Sequence, residues 1–148
     1  MTAEQKKLIL DIMSRSSAMT VATVRPDGFP QATTVAYVND GLTLYFGTWD
    51  STQKARNIAH CNKVSATIGD YEADWNTIQT LSLGGLADLI DDTGELIRVY
   101  RLLAHKYPQT SEFQRPDIGA AVLVRIKPIV ISLLDYTKGF HHAELIEV

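Results

Sequence analysis

Residues 18–54 read AMTVATVRPDGFPQATTVAYVNDGLTLYFGTWDSTQK: three β-type runs separated by two turn signals and followed by the start of a helix. Residues 19–24 alternate and are rich in Thr and Val, as in a half-buried strand. In Arg25-Pro26-Asp27-Gly28 the proline presets one turn dihedral and the glycine accepts positive φ, so a reversal is predicted there. A second strand is predicted over residues 31–38. Asn39-Asp40-Gly41 then carries the Asp-Gly hairpin cue, returning the chain into a third strand over residues 42–47.

Outward from this stretch the period changes with each element. Upstream, Leu8, Ile9, Ile12 and Met13 share one helical stripe, which predicts a helix over residues 3–14. Downstream, a short helix follows over residues 51–60 behind a Ser or Asp able to cap it, and then a buried strand over residues 63–68. After a loop over residues 69–76, a long strand is read over residues 77–90, interrupted at Gly84-Gly85 by a bulge or a close backbone approach. Asp92-Thr93-Gly94 caps a helix over residues 95–106, with Leu96, Val99, Tyr100, Leu102 and Leu103 facing a core, and Pro108 stops it. Strands over residues 120–126 and 129–134 flank Lys127-Pro128, and a polar tail runs from Asp135. There is no internal repeat, low-complexity tract or linker. This is not a βαβ alternation, so the expected fold is mainly β with flanking helices: a six-stranded antiparallel barrel, closed or split, in one domain over residues 1–148.

Composition narrows the function classes. The chain has 148 residues, 45% of them hydrophobic and 21% charged, which is ordinary for one globular domain. A net charge of -3 and a pI near 5.7 argue against nucleic acid as a partner, because that affinity rests on cations neutralising phosphates. A small anionic ligand needs only a few local donors. Cys61 is the sole cysteine, which excludes an intrachain disulfide and a cysteine-based metal cluster and suits the cytoplasm. No signal peptide is read at the N-terminus, and no apolar run is long enough to span a bilayer, so no membrane partner is expected.

Chemistry concentrates in Phe46-Gly47-Thr48-Trp49-Asp50-Ser51-Thr52-Gln53-Lys54, where three hydroxyls, a lysine and a helix N-terminus follow a strand end. Helix N-terminal amides lack internal partners and carry positive partial charge, hydroxyls donate to phosphate oxygens, and lysine adds a full charge. The same residues also suit a plain surface helix capped by Ser51 or Thr52 with a solvated Lys54.

The ordered set (Ala-Thr-Val, Pro-Asp-Gly, Pro-Gln-Ala-Thr-Thr-Val, Asp-Gly, Leu-Tyr-Phe-Gly-Thr, then Ser-Thr-Gln-Lys) resembles the first half of pyridoxamine 5'-phosphate oxidase-like flavoproteins. The match covers residues 18–88, with Gly85-Leu86-Ala87 similar to the family's Gly-x-Ala element. The resemblance implies a split barrel that binds FMN at a homodimer interface and acts on a small molecule. It places cofactor contacts at Thr33, Thr34, Val35 and Ala36 on one strand, at Gly47, Thr48, Ser51, Thr52, Gln53 and Lys54 around the helix start, and at Thr80 or neighbouring Gln79. Lys54 is the foremost phosphate ligand, and backbone groups of Val35 and Ala36 face the ring edge. No catalytic side chain or metal ligand is implied. Thr33 and Gln53 stand where the oxidase commonly has phosphate-gripping arginines, which weakens the expected grip because arginine offers two parallel charged donors. The oxidase's C-terminal arginine motif and Arg-Leu-Ala-Pro ending are absent too, which argues against oxidation of pyridoxamine phosphate itself. Two classes therefore stand side by side: a flavin-dependent oxidoreductase, and a non-catalytic binder of flavin, deazaflavin or haem.

Other residues have plainer readings. His141, His142 and Glu144 are a metal or haem cluster only if two adjacent histidines converge, and on an extended tail they diverge. Trp49 either stacks on the flavin or fills the core or interface, and Trp75 is read in the second role. Tyr37, Tyr45 and Phe46 are read as core or interface side chains, and Cys61 as a buried thiol.

Overall fold

The computed structural model describes residues 1–112 and 120–148. Helix α1 (Ala3–Arg15) begins at a capping box: the Gln5 amide donates to Thr2 Oγ1 (3.1 Å) and the Thr2 amide to Gln5 Oε1 (2.7 Å). Strand β1 (Ala18–Val24) reverses into β2 (Pro30–Ala36) through a turn with Gly28 at φ 88°, and Arg25 holds Asp27 through two hydrogen bonds across it. The short β3 (Val38–Asp40) pairs with β4 (Thr43–Trp49) around Gly41 at φ 57°. There follow α2 (Gln53–His60), β5 (Lys63–Ile68), β6 (Gln79–Leu89), α3 (Thr93–Lys106), β7 (Ala121–Asp135) and β8 (Ala143–Glu147), with single 3₁₀ turns at Trp75–Thr77, Pro108–Glu112 and Tyr136–Lys138. None of the helices in the described residues is long and apolar enough to cross a membrane.

All eight strands of the described residues form one antiparallel sheet in the order β2-β1-β5-β6-β7-β4-β3, with β8 added to β7. The sheet curls into a split barrel. Val35 and Ala36 of β2 and Gly47 of β4 line one cavity, so these strands approach without sharing a ladder. Inward residues of β1, β4, β5, β6 and β7 make the main core, with Ile9, Ile12 and Met13 of α1 packed into it and Ile58 of α2 beside them. A smaller cluster (Val38, Tyr45, Val99, Tyr107, Leu123) joins α3 to β3, β4 and β7.

Four elements depart from the sequence reading. The second strand stops at Ala36 rather than continuing to Val38. The Tyr37 amide donates to the Tyr107 hydroxyl (3.1 Å) and its carbonyl accepts from that hydroxyl (2.7 Å), so Tyr37 leaves the ladder and Val38 starts a strand on the other edge of the sheet. The two strands predicted around Lys127-Pro128 are one strand, β7. Its first half pairs with β4 through Ile126 and its second half with β8 from Val130, so Pro128, which has no N–H, falls between partners on that side and lies opposite Gly85 of β6 on the other. The expected irregularity at Gly84-Gly85 is present as a register shift opposite this point. The polar tail is in part a strand, β8, anchored by buried Ile146. Six longer strands thus carry the barrel, and β3 and β8 are short additions.

Gly85 allows the close approach of β6 and β7: a Cβ there would lie 2.6 Å from Lys127 O. Gly85→Ala is expected to cost about 1–3 kcal/mol, as other overpacked interiors do. Gly84→Ala, whose Cβ would meet only Val130 Cγ1 at 3.3 Å, should lose less than about 1 kcal/mol. Urea midpoints at unchanged slope would measure both, and equal losses would contradict the assignment of the strain to Gly85.

Candidate functional site

The phosphate-type stretch begins where β4 ends. Thr52 caps α2: its Oγ1 accepts from the Ala55 amide (3.3 Å) and donates to Trp49 O (2.8 Å). A hydroxyl has one proton, so Thr48, 3.0 Å from Thr52 Oγ1, is the donor in that pair. Both hydroxyl protons are therefore used within the loop. Asp50 accepts from the Ala120 amide (3.2 Å) and is turned to β7. Available donors then include the Gln53 and Lys54 amides, which have no hydrogen-bond partner among the described residues, and the half-buried Lys54 ammonium.

Two residues outside the sequence reading complete this end of the site. Arg56 donates to Ser51 O (2.6 Å) and to Gln53 Oε1 (3.1 Å), so its guanidinium is held by neutral acceptors. Asn57, fully buried, receives the Gln53 side-chain amide on Oδ1 (2.8 Å) and donates to Thr23 Oγ1 (3.0 Å) and Gln31 Oε1 (3.1 Å). Asn57 thus docks the first turn of α2 onto β1 and β2. The ion pairs of the described residues include neither Lys54 nor Arg56, and α2 has no acid in its first turn. The spacing of Gln53 and Asn57, four apart on one helix face, was the local signal for this link.

Strand β2 leads from this end to a cavity. Gln31, Thr33 and Val35 are half-buried, while Ala32, Thr34 and Ala36 are exposed on the other face, where Thr34 Oγ1 lies 3.2 Å from Thr20 Oγ1. From Thr33 to Ala36 the strand advances roughly 10 Å. It ends at a cavity of about 640 Å³ lined by Val35, Ala36, Gly47, Tyr100, Leu103, Ala104, Tyr107 and Thr110. A second, of about 240 Å³, shares Gly47, Tyr100 and Leu103 with it and adds Thr48 and Trp49 from β4 and Ala121, Val122 and Leu123 from β7. Among the described residues, neither lining includes a charged side chain. Tyr100, read from the sequence as a core residue, is half-exposed over both.

The remaining sequence-predicted residues lie elsewhere. Thr80 is on β6 opposite Leu134 and lines neither cavity. Gln79 beside it donates to Asp135 Oδ1 (3.0 Å) and accepts from Arg15 (3.1 Å). Trp75 is not in the core of the chain. It is exposed and stacked on Phe140 at 5.8 Å and 4°. His141 packs edge-on against Phe140, while His142 Nε2 lies 2.9 Å from Glu144 Oε1, so the two histidines diverge. Tyr37, Tyr45 and Phe46 are buried as expected, and Cys61 is half-buried with no disulfide.

Glu144 gathers His142, the Gln5 amide (2.6 Å) and Lys138 (3.1 Å), and these donors, His142 foremost, hold its carboxyl down at about 2. A carboxyl lowered on folding stabilises the fold above its unfolded value near 4.5 and loses that contribution as pH falls through 2. The stability difference between the protein and Glu144→Gln is therefore expected to be full at pH 6 and to shrink progressively between pH 4.5 and 2. Urea midpoints across that range would show it, and a difference independent of pH would refute it.

The sequence profile of the pyridoxamine 5'-phosphate oxidase family matches residues 4–135. Comparison with curated proteins found no match. Among solved structures, the conserved hypothetical protein Rv2991 of Mycobacterium tuberculosis is similar at 26% identity and a TM-score of 0.77, over 100% of this chain and 92% of that one. An F420 reductase is similar at 26% identity and a TM-score of 0.62, over 82% of this chain and 94% of that one. HutZ, the heme storage protein of Vibrio cholerae, shares the fold at 18% identity and a TM-score of 0.68, over 83% of this chain and 89% of that one.

Proposed function

The chain belongs to the pyridoxamine 5'-phosphate oxidase-like family, and from that premise we propose that it is an FMN-dependent oxidoreductase, active as a cytoplasmic homodimer on a small molecule other than pyridoxamine phosphate. The observation that carries this reading is the charge at the start of α2. Lys54 and Arg56 lie in the turn where a helix disfavours cations, with no carboxylate paired to them among the described residues. That donor set, with two free amides, suits a phosphate. In this reading Arg56 supplies part of the guanidinium chemistry missing at Thr33 and Gln53.

The path of β2 supports the orientation. With phosphate at Lys54, the ring end falls roughly 10 Å along the strand, at the apolar cavity beside Val35 and Ala36. Bound flavin would supply the electron-accepting chemistry. The chain's own residues would anchor the phosphate, screen one side of the ring with Tyr100 and Leu103, and present backbone groups of β2, an edge strand, to its polar rim. Thr80, remote from this cavity in its own chain, would reach a cofactor only from a second copy, which is what favours the dimer.

A non-catalytic carrier is the second reading. The likeness to an F420 reductase favours a deazaflavin as the alternative ligand. Haem is less suited, because His141 and His142 are engaged at the tail and neither lines the cavity.

Titration with FMN and with riboflavin, followed by flavin fluorescence, tests the reading. FMN is expected to saturate the protein, Lys54→Ala to weaken it about 10- to 100-fold, and Arg56→Gln about 10-fold, as loss of charge-assisted hydrogen bonds does. Riboflavin, which has no phosphate, should be insensitive to both. An absence of FMN binding would overturn the proposal. Saturation without reduction by nicotinamide nucleotides would favour the carrier.

A further inference from the structure

The cavity differs in character from the cationic end of the site. Its walls at Val35, Leu103 and Ala104 are apolar, and the hydroxyl protons of two of its polar residues are committed. The single Tyr107 hydroxyl proton is shared between Ser17 O (2.6 Å) and Tyr37 O (2.7 Å), and its oxygen accepts from the Tyr37 amide, while Thr110 donates to Tyr107 O (2.8 Å). Tyr100, half-exposed between the two cavities, has a hydroxyl with no hydrogen-bond partner among the described residues. Of the α3 cations, Arg98 pairs with Asp40 and Lys106 lies 4.1 Å above the Tyr37 ring, while Arg101 and His105 are exposed to water and line neither cavity.

We infer that the α3 side of this cavity is a subsite for an uncharged, largely apolar ring ligand with at most one hydrogen-bonding group, met by the Tyr100 hydroxyl. The cavity, about 640 Å³ in all, is of small-molecule size and is shared between the flavin ring at Val35 and Ala36 and this ligand at Leu103 and Ala104. Against the described lining residues an ionised group would lose its water without gaining a countercharge, whereas an apolar ring exchanges water for Leu103 and Ala104. This inference rests on the flavin reading, because the ligand lies beside a ring held at Val35 and Ala36. It sets the substrate class apart from phosphorylated amines.

The test is calorimetric titration of the FMN-saturated protein at pH 7 with three probes of one ring size: 2-naphthol (neutral), 2-naphthoate (anionic) and 2-naphthylmethylamine (cationic). The flavin absorbance is followed in parallel. 2-Naphthol is expected to bind at least about 10-fold tighter than either charged probe and to perturb the flavin spectrum. Ala104→Phe, a substitution at an exposed position that fills the cavity, should weaken it by about 10-fold or more, and Tyr100→Phe by about 3- to 10-fold. Far-ultraviolet circular dichroism of each variant checks that the fold is retained. Equal or tighter binding of a charged probe, no binding of 2-naphthol, or a folded Ala104→Phe variant with unchanged affinity overturns the inference while leaving the flavin reading intact. Failure of FMN to saturate the unmodified protein overturns both.

Discussion

The hydroxyl of Tyr107 is the contact on which the arrangement around the cavity depends. Between β2 and β3 the chain passes from one edge of the sheet to the other, and Tyr37, fully buried at the crossing, has an amide and a carbonyl that belong to no ladder. Left unpaired, each buried group would cost about 1–3 kcal/mol. One phenol meets both and also reaches Ser17 O at the entrance to β1. Because Tyr107 directly follows α3, the same contact fixes that helix over β2 and β4. Burial keeps both tyrosine hydroxyls protonated, raising them above their ordinary range, and the Tyr37 hydroxyl donates to Met13 O (2.8 Å), tying in α1. The cavity is the space left between a helix held at its C-terminal end and two strands that do not pair with each other.

The three helices treat their N-termini differently, and the contrast is informative. α1 and α3 place Glu4 and Glu95 in their first turns, where negative charge complements the helix dipole. α2 places Lys54 and Arg56 there instead, and spends a buried asparagine on docking that turn against β1 and β2. The other two helices of the described residues make the opposite choice. A chain that holds cations against an unfavourable dipole does so most economically if an anion completes the site.

Much of the barrel was legible from local chemistry. The Pro-Asp-Gly turn, the Asp-Gly hairpin and the helix starts at Thr52 and Asp92 depend on residues adjacent in sequence, and each formed near its expected place. What was missed depends on distant partners. β2 ends at Ala36 because Tyr107, seventy residues away, removes Tyr37 from the sheet. β7 runs through Pro128 because its neighbour on one side changes there from β4 to β8, which no local signal records. The same division holds in the site. Lys54 beside a helix start was readable, whereas the roles of Arg56 and Asn57 emerge only when Gln53, Thr23 and Gln31 are brought together. Of the two places read for Trp75, core or interface, the core is excluded, because it stacks on Phe140 at the surface of the chain.

Strand β2 connects two environments that share little chemistry. At Gln31 it meets Asn57 and, through it, the cationic turn of α2; at Val35 and Ala36 it borders a cavity with no charged side chain among the described residues. Side chains on one face of a strand recur every second residue, so Gln31, Thr33 and Val35 form a graded track from polar to apolar. On the proposed reading, a ligand along that track is anionic at one end and apolar at the other, the polarity of a phosphorylated flavin. The charge lies where the helix amides are free, and the neutral end meets walls that would exclude a second ionised molecule. On the flavin reading, the features that anchor the cofactor also restrict its reaction partner: the phosphate is met at α2, and the described lining on the α3 side, which carries no charge, is left to select by shape.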